Sequence, residues 1–142
     1  MNKFKYIEDK AIADIAYEAY GKNINELFSN CALALFDSMA NLKTVKSNIK
    51  KDINLDNENI DGLLYDFLSE IVYLKDTDYM VFSKVKVNIK KNKKYDLKAI
   101  IYGDTINQEK QELRNDVKAV TMHLFKIDKV KNNYKATVVI DI

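Results

Sequence analysis

The sequence has no proline, three glycines, one cysteine and one histidine in 142 residues. With so few chain-breaking residues there is no linker-like stretch and no glycine-rich loop to cradle a phosphate. The solitary Cys31 excludes an intramolecular disulfide and a cysteine-built zinc site, and it fits a reducing compartment. His123 is the sole imidazole, and no nucleophile–base pair is evident, which argues against a stand-alone metal hydrolase. Charge of one sign is also missing. The balance is 23 basic against 21 acidic residues, net +2, so only clustering on one face could make a nucleic-acid footprint. The opening "MNKFKYIEDK" contains no apolar run, and no segment reaches the length of a membrane span. A soluble, cytoplasmic chain with no membrane partner is expected.

What is present is 47% hydrophobic and 31% charged residues, enough for one core and a single domain over 1–142. Ile24, Leu27, Phe28, Cys31, Ala32, Leu35, Phe36 and Met39 form one apolar stripe at helical spacing. Asn23 stands at the N-cap and Glu26 in capping-box position. A second stripe runs Ile60, Leu63, Leu64, Phe67, Leu68, Ile71 and Leu74, capped by Asn59 or Asn57. Strand alternation marks "KVKVNIK", which turns through Lys91–Lys94 into "YDLKAIIY" as a hairpin. A second hairpin is expected from Asp116–Ile127 and Tyr134–Ile142 across Lys131, Asn132 and Asn133. Phe4–Ile7 and Asp14–Tyr20 read as short strands, and Val45–Ile53 as an edge strand. The class is α+β: two helices packed on a largely antiparallel β-sheet in a single domain. "YGKNIN" at 20–25 and "YGDTIN" at 102–107 share four of six residues, a weak hint of a duplicated strand–turn unit.

The chain closes on "VVIDI", with Asp141 next to Ile142 and its α-carboxylate. Such oxygens are hard ligands of the kind Ca²⁺, Mg²⁺ or Mn²⁺ select. An ordinary strand end at a solvent edge, with Asp14 capping a loop, is the alternative that the residues leave open. By strand phase His123 shares a face with Val117, Ala119, Thr121 and Phe125, which suggests a histidine satisfied in or near the core. A contact to the ligands of a bound metal, or to a partner protein, is the other reading. Lys118 falls on the opposite face. The run "KVKVNIKKNKK" reads as the wet side of a hairpin, with Tyr95 alone as an aromatic, so direct RNA contact is not expected.

"IADIAYEAYG" (12–21), "LLYDFLSEIVYLKDTDYMVFSKVKV" (63–87), "VKAVTMHLFKI" (117–127) and the closing "VVIDI" resemble the archease family, in the same order over nearly the whole chain. The resemblance implies a small, non-catalytic α+β protein that assists the RtcB-type RNA ligase of tRNA splicing. It would promote the ligase's guanylylation and multiple turnover. The resemblance also implies a divalent metal, Ca²⁺ favoured with Mg²⁺ or Mn²⁺ as alternatives, held at Asp14, Asp141 and Ile142. A chaperone-like modulator of RNA-modifying enzymes such as methyltransferases is the alternative function. The sequence departs from the family pattern at Ala11 and Ile12, where many members carry His-Thr, and at Gln111, where a histidine is usual.

Overall fold

The computed structural model describes residues 3–7 and 14–142. Its strands are β1 (Phe4–Ile7), β2 (Asp14–Gly21), β3 (Ile49–Asn57), β4 (Met80–Lys91), β5 (Tyr95–Thr105), β6 (Ala119–Val120), β7 (Lys126–Val130) and β8 (Asn133–Asp141). Its helices are α1 (Ile24–Met39) and α2 (Ile60–Asp78). The α+β class and the two helices hold, but the strands divide into two antiparallel sheets where one was expected. In the larger sheet β1, β2 and β8 lie side by side, and both β6 and β7 pair with the far edge of β8. The smaller sheet has the order β3–β5–β4.

Helix α1 lies between the sheets and packs against β2 and β4, whereas α2 packs on β3 and β6. The apolar stripes therefore bury against two layers. Leu27, Phe28, Leu35, Leu64, Phe67 and Ile71 are all fully buried in one continuous core that joins both helices and both sheets. The Phe28 and Phe67 rings stack between the helices with centroids 6.0 Å apart.

Local chemistry accounts for the helix ends. The Glu26 N–H donates to the Asn23 side chain at 2.9 Å, as the cap requires. The reciprocal bond differs from a standard capping box, because the Glu26 carboxylate accepts from the Lys22 N–H at 3.3 Å. Asn23→Ala should cost about 1 kcal/mol of stability in a denaturant melt. A change near zero would mean that the cap bond is exchanged for water without loss. Asn59 is the N-cap residue of α2 but makes no side-chain cap bond. Instead its own N–H donates to the Asn57 side chain at 2.9 Å. Tyr79, at φ 54°, ends α2 in the left-handed conformation.

The repeated hexapeptides occupy unlike settings. Gly21 ends β2 against the first turn of α1, where an added Cβ would meet the Leu27 backbone. Gly103 lies inside β5 beside the bulge of β4 at Ser83, where a Cβ would strike the Val81 carbonyl and the Phe82 backbone. Both glycines serve close approach, and only the first precedes a helix.

Candidate functional site

The two chain segments that carry the candidate aspartates are adjacent strands. In β2 the Tyr17 hydroxyl donates to the Cys31 carbonyl of α1 at 3.0 Å, which points the odd-numbered residues of β2 inward. Asp14, by alternation, belongs to the outer face. In β8, Val138 and Ile140 are core residues, which sends Asp141 outward as well. The antiparallel register then sets Asp14 directly opposite Asp141. Residues opposed in this way have Cβ atoms about 4.5–5.5 Å apart, and like charges there repel.

On the other side of Asp141 stands Ala119, exposed and short. The row Asp14–Asp141–Ala119 thus sets the two carboxylates, both half-buried, at one end of the sheet. Among the ion pairs of the described residues, neither aspartate has a partner. Ile142 follows Asp141 with its side chain against the core and its carboxylate beside the pair in sequence. Among the described residues no three His, Cys, Asp or Glu side chains cluster as a metal site. The two aspartates alone do not complete a ligand set, and the Ile142 carboxylate is the chain's own candidate for a third. The donor chemistry fits a hard divalent cation, which would also cancel the cross-strand repulsion.

Lys118 enters through its backbone. Its N–H donates to the Asp141 carbonyl at 2.8 Å and fixes the strand end, while its side chain is exposed. His123 is placed differently from the sequence reading. The expected strand Asp116–Ile127 breaks into β6 and β7, and Thr121–Phe125 lie opposite only Val138 and Val139 of β8. Five residues facing two cannot remain in register, so the chain loops out, with Leu124 at φ 56°. His123 sits in that turn, exposed, and not in the core. Its neighbours Met122 and Leu124 are 67% and 63% exposed. The turn is anchored below by the Phe125 ring, edge-on to Tyr65 at 5.5 Å, and by the Tyr65 hydroxyl donating to the Val120 carbonyl.

Gln111 has a structural task. Its Oε1 accepts from the Asn107 N–H at 2.9 Å and its Nε2 donates to the Thr105 carbonyl at 3.0 Å, clamping the loop after β5. Ala11 and Ile12 lie outside the described residues. A buried cation that the sequence reading did not single out is Lys75, on α2. It is 5% exposed, with its ammonium 2.6 Å from Asp116 and 2.8 Å from Asp76. Burial alone would lower its pKa, but the two carboxylates outweigh that and raise it. The pair Lys75–Asp116 ties α2 to the segment leading into β6. No helix among the described residues is long and apolar enough to cross a membrane.

Comparison with known proteins gives a consistent result. Residues 4–142 match the model of the Archease protein family. The chain is 40% identical over 131 residues to "Protein archease" of Thermococcus kodakarensis, covering 92% of this chain and 91% of the relative. It is 36% identical over 142 residues to the protein of that name from Sulfurisphaera tokodaii, covering 100% of both. The solution structure of Methanobacterium thermoautotrophicum protein 1598 superposes with a TM-score of 0.88 at 34% identity over the whole of both chains. A crystal structure from Thermotoga maritima, described as an archease, possible chaperone, has a TM-score of 0.64 at 20% identity. It covers 97% of this chain and 100% of its own, and shows the fold alone.

Proposed function

The chain belongs to the archease family, and on that footing we propose that it is a non-catalytic activator of an RtcB-type tRNA-splicing RNA ligase. It promotes guanylylation of the ligase and multiple turnover, and it uses a divalent cation held at Asp14, Asp141 and the Ile142 carboxylate. The observation that carries this reading is the direct cross-strand opposition of Asp14 and Asp141, two carboxylates that form no ion pair among the described residues. When bound, the cation supplies a concentrated positive charge at the tip of the sheet. Asp14 and Asp141 bind and orient it. The Lys118 N–H, by holding the Asp141 carbonyl, keeps the end of β8 from fraying away from β6.

The exposed Met122–His123–Leu124 turn starts three residues beyond Ala119, on the strand side that flanks the carboxylate row, and gives the partner enzyme an apolar contact near the charged one. Exposed apolar side chains on a constrained turn suit docking into a protein pocket. His123 and Lys118 then act as partner contacts and not as ligands.

The test is ligase turnover. With substoichiometric ligase, RNA ends and GTP, adding this protein should raise the number of ligations per ligase, while the protein alone should neither join RNA nor consume GTP. Equal turnovers with and without it would overturn the activator reading, and an altered specificity of an RNA methyltransferase would then favour the chaperone-like alternative.

A further inference from the structure

Along the chain the lysines of β4 have the pattern of a solvated face, because no aromatic side chain alternates with them. Tertiary structure supplies the aromatic from the neighbouring strand. In β5, Tyr102 lies between Lys50 of β3 and Lys84 of β4, directly opposite each in the two registers. Lys86 follows Lys84 on the same face, with its ammonium 5.9 Å from the Tyr102 ring centroid. Lys3 joins the group from the chain's beginning. Lys3, Lys84, Lys86 and Tyr102 line an open cavity of about 540 Å³ that reaches round the edge strand β4 to Leu33 and Val85. The bulge of β4 at Ser83 opens this cavity, and the Ser47 and Ser83 hydroxyls are 3.1 Å apart at its wall. Bulges commonly re-aim strand side chains at such places.

The charge distribution is one-sided here, although the whole chain is nearly neutral. Strand β4 contains no acidic residue over Met80–Lys91. Among the described residues two carboxylates of β3 and β5 share that face near Tyr102; Asp104 accepts from the Asn48 side-chain amide at 3.2 Å and the Thr105 N–H at 2.9 Å. Asp52 lies across Ile100 from Lys86 and next to Lys50 on the same face of β3, so the positive side of the patch is the Lys84–Lys86 edge.

We propose that this patch binds single-stranded nucleic acid, with RNA as its physiological form. A base stacks on Tyr102, and successive phosphates are held by Lys84 and Lys86 on one side and by Lys50 or Lys3 on the other. Same-face residues of a strand repeat every ~6.8 Å, a step comparable with the phosphate spacing of an extended strand. An aromatic platform within a basic groove is the arrangement that binds single strands without reading their sequence. The patch belongs to the three-stranded sheet and does not use the acidic pair of the other sheet. It extends the ligase reading by giving the activator its own hold on the RNA, and it stands or falls independently of the metal.

The test is fluorescence polarisation of a labelled single-stranded RNA oligonucleotide on the intact protein, in EDTA, over a series of salt concentrations. Three or four phosphate contacts predict a log–log salt slope of about −2 to −3. Lys84→Gln with Lys86→Gln should flatten that slope by about 1.4. Tyr102→Leu should weaken binding about tenfold, and Tyr102→Phe should restore it, because the ring and not the hydroxyl carries the stacking. These lysines are exposed, and thermal melts of every variant check that the fold is intact. Absence of salt-dependent binding by the unaltered protein would overturn the proposal. So would an affinity that ignores both the lysine pair and the Tyr102→Leu change.

Discussion

Replacing Phe67 by alanine should cost about 3–5 kcal/mol of folding stability and lower Tm by roughly 10–17 °C. Phe67 is fully buried, stacked on Phe28, and lies where α2 meets α1. Truncation removes the ring's transfer free energy and leaves a void bounded by both helices, which the β3 and β6 layers on α2 keep from collapsing. Phe67→Leu should recover more than half of the loss, since it refills most of the volume. A denaturant melt of both variants checks the expectation. A loss under about 1 kcal/mol for the alanine would show that this face of α2 is not a structural core.

The second large effect is at the tip. Calcium or manganese at one hundred times its Kd should stabilise the protein by about 2.7 kcal/mol, and Asp141→Asn, by weakening binding about tenfold, should cut that gain to about 1.4 kcal/mol at the same metal concentration. Asp14→Asn should behave alike, because the two carboxylates are register partners. Extending the chain beyond Ile142 should weaken the site less, by converting a carboxylate into a neutral carbonyl that can still ligate Ca²⁺. The metal-free proteins should respond in the opposite direction. Removing one of two opposed charges should leave them as stable as the parent, or more stable by up to about 1 kcal/mol. Calorimetric titration with thermal melts in EDTA and in metal reads both signs. Equal metal affinity in the parent, tagged and Asp14→Asn proteins would mean that the carboxylates only end two strands.

How much of this was legible before the structure depends on the range over which each feature is encoded. The helices were legible because capping and the 3.6-residue stripe are local: Asn23, Glu26 and the run Ile24–Met39 lie within one stretch of chain. The hairpin of β4 and β5 was legible for the same reason, its strands being joined by a short turn. Asp14 and Asp141 were picked out by resemblance, and their residue types by chemistry, but no local pattern says that residues so far apart in sequence are neighbours. His123 shows the limit most clearly. The face that alternation assigns it with Val117 and Ala119 does not survive folding, since Val117 is buried and Ala119 exposed; β6 and β7 must both pair with β8, and the surplus residues between them are forced out as a turn.

The sequence by itself thus determined the class, the two helices, the face of each helix that meets the core and the family to which the chain belongs. Each of these follows from periodicity, caps or motif order. Tertiary structure alone decided that the strands form two sheets with α1 between them, and that Asp14 faces Asp141. It also decided that Tyr102 stands among Lys50, Lys84 and Lys86. A two-residue period states which side chains share a face of one strand. Which strand comes to lie beside it is settled by non-local burial and hydrogen bonding, and the chemistry of both surfaces lies across strands.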